Sequence, residues 1–197
     1  MSAMTLSAEA LPRGDLWVFG YGSLMWRPGF EFIEQVPARL IGEHRALCVY
    51  SFVHRGTPEK PGLVLGLDAG GACQGIAFRV RPDLREETLA YLRAREQVTS
   101  VYVEALKQVE LRRDGRRVSA ITYLVDRRHR QYGGALETEE LVRLVRQGIG
   151  ISGTCIDYVR ATLEHLNAMH IRDARLESLG HALGLHAKAA ATASGVV

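Results

Sequence analysis

The chain has 197 residues, of which 47% are hydrophobic and 24% are charged, a balance typical of globular rather than disordered or fibrous proteins. Its 25 basic and 22 acidic side chains leave a net charge of only +3. Proteins that bind nucleic acids usually have a clustered basic face, so we expect no nucleic-acid partner. No stretch approaches the roughly 20 apolar residues that span a bilayer, so we expect no membrane association. The first residues lack the basic and apolar blocks of a signal peptide, which favours a cytoplasmic protein.

The cysteines favour the same compartment. Cys48, Cys73 and Cys155 are odd in number and widely spaced, which is not the pattern of a disulfide framework. None of them forms a pair with another Cys or a His at zinc-ligand spacing. We therefore expect a reducing environment, no metal site and no cofactor.

The two ends of the chain differ in composition from its middle. Residues 1–14 are mostly small and polar, and residues 180–197 are mainly Ala, Gly, Ser and His. Such segments offer few large side chains to pack, so they are expected to be flexible tails. The sequence thus predicts one domain over residues 15–179.

The first part of this domain is rich in predicted strands. Residues 16–19 form an apolar run typical of a buried strand, and residues 38–50 predict one long or bent strand. Residues 63–67 and 75–80 flank Gly70-Gly71, which predicts a hairpin.

A second predicted hairpin joins residues 101–111 to 118–125 through Asp114-Gly115. Helices are predicted from Asp83 to about 97, with Asp83 and Glu86 as a capping box, and from the potential caps Thr138 and Thr154. Strands precede helices without β-α-β alternation. The fold class is therefore α+β, with a mostly antiparallel sheet or a small closed β-barrel and flanking helices.

The turn after the first strand is a candidate anion site. Gly20-Tyr21-Gly22-Ser23 follows the apolar strand directly, and glycines let a ligand approach the backbone without a Cβ in the way. Successive free N–H groups in such a turn form a concavity for a carboxylate or a developing oxyanion. Taken alone, a Gly-x-Gly is more often an ordinary turn, and the third glycine of a dinucleotide-binding loop is missing.

A carboxylate on an apolar helix face is the second candidate. At helical spacing Leu84, Thr88, Leu89 and Leu92 share one stripe with Glu96, near the end of the predicted helix. Partial burial and the negative end of the helix dipole both raise a carboxyl pKa, towards values useful in proton transfer. The alternatives are that Glu96 pairs with a nearby arginine, with Arg95 or Arg55 as candidates, or that the last turn of the helix reaches solvent.

These features resemble a known family. The segments that carry the resemblance stand in the family's order: residues 16–26 with their Tyr-Gly-Ser-Leu turn, the polar loop 51–62, residues 91–96, residues 126–129, and residues 152–158. Together they are similar to ChaC-type glutathione-specific γ-glutamylcyclotransferases over about residues 16–179. The chain departs from many relatives after Glu96, where it lacks their glycines, and at Cys155, where they often have Asn.

The resemblance implies a carbon–nitrogen lyase that cleaves glutathione, a small-molecule substrate, to 5-oxoproline and cysteinylglycine. The substrate's own α-amine is then the nucleophile, and Glu96 is the catalytic base and acid. Two rival interpretations are the same chemistry on other γ-glutamyl amino acids or amines, and a non-catalytic regulatory protein on this fold.

The resemblance also implies a substrate-binding set. Its members are Val18, Phe19, Gly20, Tyr21, Gly22, Ser23, Leu24, Arg55, Tyr102 and Tyr158. Each of the last three has an alternative interpretation: Arg55 as an exposed loop residue, Tyr102 as a strand-packing residue and Tyr158 as a solvent-facing one. His54 is expected to be structural.

Overall fold

The computed structural model describes residues 6–7, 11–97 and 99–185. Its elements, in chain order, are β1 (Leu16–Gly20), β2 (Glu34–Ser51), β3 (Gly62–Val80), α1 (Arg85–Glu96), β4 (Tyr102–Leu111), β5 (Arg117–Val125), α2 (Thr138–Gln147), the short pair β6 (Ile149–Gly150) and β7 (Gly153–Thr154), α3 (Cys155–Ala168) and α4 (Ala174–Leu183). Single 3₁₀ turns cover Ser23–Met25 and Pro82–Leu84.

Five strands close into a barrel in the order β1-β3-β2-β4-β5. All neighbours are antiparallel except β1 and β5, whose short parallel pairing of Trp17 with Ala120 and Val18 with Ile121 closes it. The predicted α+β class with a small closed barrel is confirmed. The core is continuous from the barrel to the helices, since buried leucines of α2, α3 and α4 belong to the same cluster as those of the strands.

The hairpin predicted around Gly70-Gly71 is wrong, because β3 runs unbroken from Gly62 to Val80. It pairs with the equally long β2, and both strands bend where the register shifts between Ile41 and Glu43. Gly42, Gly70 and Gly71 all have positive φ there, at 101°, 100° and 73°. The glycine pair therefore bends one strand instead of joining two. The predicted long strand β2 and the β4–β5 hairpin are confirmed.

Helix starts were predicted with mixed success. Thr154 caps α3 as expected, accepting a hydrogen bond from the Asp157 N–H. Asp83 does not cap α1, because its carboxylate accepts a hydrogen bond from Arg81 instead, 2.7 Å away. Thr138 is the first residue of α2 and makes no capping bond.

The domain limits 15 and 179 stay a prediction, to which the structure adds packing on both sides. Leu11 is buried in the core, and the Leu6 N–H donates to the Glu104 carboxylate at 3.0 Å. Helix α4 continues to Leu183 with Gly180 buried. Residues 1–5, 8–10 and 186–197, which make up most of both predicted tails, lie outside the described residues.

Among the described residues, no helix combines the length and the apolar character needed to cross a membrane.

Candidate active site

The glycine turn lies at the end of β1, where the strand leaves the barrel. The Thr122 hydroxyl donates to the Phe19 carbonyl at 3.1 Å and anchors the end of the strand. The chain then enters the 3₁₀ turn, whose first backbone bond runs from the Met25 N–H to the Gly22 carbonyl at 2.9 Å. The N–H groups of Gly22, Ser23 and Leu24 precede that bond, so the turn itself supplies no acceptor for them.

A buried arginine supports the turn from the side of β2. Arg45 is 3% exposed, and its Nε donates to the Tyr21 carbonyl at 2.5 Å. The same guanidinium donates to the Gln74 carbonyl at 2.6 Å and forms an ion pair with Asp173 at 2.8 Å. Asp173 is also the N-cap of α4, so one side chain fixes the turn relative to a strand and a helix.

A cavity of about 390 Å³ opens beside the turn, bounded by the barrel, the end of α1 and helix α3. Of the sequence-predicted site residues, it brings together Phe19, Tyr21, Gly22, Ser23, Leu24, Arg55, Glu96, Tyr102 and Tyr158. Two others do not line it. Val18 is fully buried in the core. A Cβ at Gly20 would lie 3.0 Å from the Leu24 Cβ, so close packing of the turn explains that glycine.

Glu96 is the only acid among the residues that line this cavity. As the sequence predicts, Thr88, Leu89 and Leu92 of its helix face are buried. Burial raises the pKa of Glu96, and the neighbouring Arg95 charge opposes that rise without cancelling it. A carboxyl group in this state can exchange a proton more readily near neutral pH than an exposed one.

Arg95 connects the carboxylate to the turn. Its Nε lies 3.2 Å from Glu96 Oε1, and one of its terminal nitrogens donates to Ser23 Oγ at 2.8 Å. The guanidinium also donates to the Arg27 carbonyl at 2.7 Å and to the Tyr91 hydroxyl at 3.0 Å. The ion pair between Glu96 and Arg95, which the sequence suggests as an alternative to a catalytic role, is therefore present. Glu96 nevertheless also lines the cavity.

Three of the sequence-predicted site residues are tyrosines that line the cavity together with Glu96. The Tyr102 hydroxyl donates to the Leu65 carbonyl at 2.6 Å, and the Tyr158 hydroxyl accepts from the Leu65 N–H at 3.2 Å. Burial is the main cause that raises the pKa values of Tyr21, Tyr102 and Tyr158, to about 12 for Tyr158, and the nearby Glu96 contributes to each. All three phenols are therefore neutral near pH 7.

Arg55 lies against Tyr158, with its guanidinium carbon 5.3 Å from the ring centroid. One terminal nitrogen donates to the Thr154 carbonyl at 3.1 Å, which leaves its other donors available to the cavity. The Cys155 sulfur accepts from the N–H of Leu63 at 3.3 Å and donates to its carbonyl at 3.1 Å. The wall behind Tyr158 is therefore held without an amide side chain.

Sequence reasoning missed several residues of the cavity wall. Trp26 and His165 stack with ring centroids 4.4 Å apart, and both line the cavity. His54, expected to be structural, also lines it, and its Nδ1 lies 3.0 Å from the Ser152 hydroxyl. No sequence motif connects these positions. Trp26 and His165 meet only when α3 packs over the turn, and His54 and Ser152 lie in separate loops.

The arrangement is a cavity with one carboxylate among its described lining residues, a turn whose first backbone N–H groups have no acceptor within the turn, and basic side chains. The solved structure of a γ-glutamyl cyclotransferase specific to glutathione from yeast has the same fold, with a TM-score of 0.78 at 22% identity over 87% of this chain and 96% of that one.

The sequence defines the family more closely. Residues 16–185 match the family described as ChaC-like protein. The glutathione-specific γ-glutamylcyclotransferase of Escherichia coli K12 is 36% identical over 166 residues, covering 84% of this chain and 71% of the relative. The glutathione-specific γ-glutamylcyclotransferase 1 of Danio rerio is 32% identical over 157 residues, covering 78% and 80%. This chain belongs to the ChaC-like family.

Proposed function

We propose that this protein is a γ-glutamylcyclotransferase that converts glutathione to 5-oxoproline and cysteinylglycine. The single observation that carries the proposal is that one guanidinium, that of Arg95, contacts both the Glu96 carboxylate and the Ser23 hydroxyl of the glycine turn. The proton-transfer group and the anion-binding turn are thereby held in one cavity. The names of the relatives from Escherichia coli and Danio rerio support glutathione as the substrate.

In this reaction the substrate carries its own nucleophile. Glu96 takes a proton from the α-ammonium group, and the freed amine attacks the γ-carbonyl carbon to close a five-membered lactam. The carbon–nitrogen bond to the cysteine breaks as Glu96 returns that proton to the departing nitrogen. The attacking nitrogen loses a second proton to become the lactam N–H, and the departing amine takes up a proton in turn, so cysteinylglycine leaves with an ammonium group. Folding the γ-glutamyl chain so that its amine faces its carbonyl is a proximity effect, which can be worth up to about 7–11 kcal/mol.

The remaining cavity residues bind and orient the substrate. The free N–H groups of Gly22, Ser23 and Leu24 bind a carboxylate or the developing oxyanion. The available donors of Arg55 pair with a substrate carboxylate, for which a guanidinium is well shaped. Tyr102 and Tyr158, fixed by their bonds to Leu65, position the γ-glutamyl group.

The proposed compartment is the cytoplasm, where glutathione is abundant and thiols stay reduced. It is supported by Cys48, Cys73 and Cys155, which are all buried free thiols.

The test uses glutathione, γ-glutamylalanine and N-acetylglutathione with purified protein, and measures 5-oxoproline and the released amine product. We expect stoichiometric 5-oxoproline and cysteinylglycine from glutathione and slower turnover of γ-glutamylalanine. N-acetylglutathione has no free amine, so it yields neither product. Faster turnover of γ-glutamylalanine would transfer the assignment to other γ-glutamyl compounds, and absence of 5-oxoproline from every substrate would contradict the proposal.

A further inference from the structure

A second cavity, of about 560 Å³, shares no lining residue with the candidate active site. It lies where the bent β2–β3 pair meets the start of α4. Its walls are strongly basic: they contain Arg39, His44, Arg45, Arg112, Arg172 and Arg175. Asp173 is the only acid among its lining residues.

The basic charge of this cavity is only partly neutralised. Arg45 pairs with Asp173, and Arg172 donates two hydrogen bonds to Glu177, at 2.5 and 2.6 Å. Among the described arginines that line this cavity, three are exposed and form no ion pair; these are Arg39, Arg112 and Arg175. Glu110 lies opposite Arg39 in the β2–β4 register but is not within ion-pair distance of it.

Neutral donors add to these three charges. The Asp173 carboxylate caps α4 by accepting from the Leu176 N–H, so the N–H groups of Ala174 and Arg175 begin the helix at the cavity wall. Arginine charges and backbone N–H groups thus face the same space.

We propose that this cavity binds a small phosphate-bearing polyanion. Planar guanidinium groups match the oxygens of a phosphate two at a time, and the start of a helix adds N–H donors suited to the same group. Three unpaired charges favour a ligand with at least two negative charges, and the volume admits one the size of a nucleotide. The proposal does not depend on the reaction proposed for the other cavity.

Isothermal titration calorimetry with sodium tripolyphosphate at about 0.15 M salt tests this site. We expect saturable binding at one site per chain, weakened at least 10-fold by the double variant Arg39→Gln/Arg175→Gln. The matched control is Arg130→Gln/Arg146→Gln, which removes the same charge from exposed positions outside the cavity and should bind as the wild type does. All four side chains are exposed, and thermal unfolding verifies that both variants fold.

Three results would overturn the proposal. Undetectable binding to the wild type would exclude the site, and equal weakening in both double variants would show general charge attraction instead of a defined site. Citrate bound as tightly as tripolyphosphate would exclude a preference for phosphate. The titration measures binding and not turnover, so its outcome is separate from that of the glutathione assay.

Discussion

At the scale of single residues, the state of Glu96 depends on Arg95. Burial raises the pKa of Glu96, and the Arg95 charge at 3.2 Å is the main opposing influence. Because a general base must be deprotonated, turnover is expected to fall as the pH drops through this raised pKa.

Arg95→Met should therefore move the acidic limb of the pH dependence of kcat/KM to higher pH. The substitution removes the positive charge that favours the carboxylate form of Glu96. Ser23→Ala is the matched control, since it removes the Arg95–Ser23 bond and keeps the charge. An acidic limb that stays in place, or moves to lower pH, in Arg95→Met would contradict this account of Glu96.

Substitutions in the glycine turn separate backbone from side-chain roles. Ser23→Ala loses one hydrogen bond to the Arg95 charge, and we expect a drop of at least about tenfold in kcat/KM, since a hydrogen bond to a charged group is worth about 1.5–3 kcal/mol. Gly22→Val should cost more. A Cβ at Gly22 would be in ordinary contact with Leu65 Cδ1, 3.6 Å away, and the larger valine side chain would take up space in the cavity that Gly22 lines, where we propose that the substrate binds. Steady-state kinetics on both variants checks the order, and a larger loss in Ser23→Ala would reverse it.

At the scale of elements, Arg45 ties the turn to α4 through buried bonds to Tyr21 and Asp173. Arg45→Met leaves the Asp173 carboxylate without its partner, and breaking such a buried pair costs about 3–5 kcal/mol. We expect the Tm to fall by about 10 °C and glutathione turnover to fall with it. The control is Arg143→Gln on α2, whose exposed pair with Glu140 is worth at most about 1 kcal/mol. Equal Tm values for the two variants would show that the bonds of Arg45 to Tyr21 and Asp173 do not contribute to stability.

Some secondary-structure elements are predicted correctly from sequence patterns, and others are not. The alternation and turn residues of 101–125 predict a hairpin that the structure contains, and the stripe on α1 places Glu96 correctly. Gly70-Gly71 misleads, because a turn and a bend require the same positive φ, and only the long-range pairing with β2 distinguishes them. Arg45 and His165 could not be placed from the sequence, because their partners Tyr21 and Trp26 are 24 and 139 positions away in the chain. For Arg95 the sequence suggests the pairing with the adjacent Glu96 but not the bond to Ser23, 72 positions away.

At the scale of the whole molecule, α4 is an integral part of the fold. Leu176 and Leu179 are buried in the common core, and Asp173 neutralises the buried Arg45. A chain ending at residue 172 should therefore have a much lower Tm than one ending at residue 185, or fail to fold. Thermal unfolding of the two chains followed by circular dichroism tests this, and equal Tm values would show that α4 contributes no stability.

In the proposed reaction on glutathione, proton transfer depends on the Glu96 carboxylate. The most direct test of this dependence is the initial rate of 5-oxoproline formation by Glu96→Gln, beside Glu86→Gln as a control at an exposed site on the same helix. We expect a rate at least about 100-fold lower for Glu96→Gln, with a Tm no lower than that of the wild type, and an unchanged rate for Glu86→Gln. A folded Glu96→Gln variant that retains a rate within a few-fold of the wild type would contradict it.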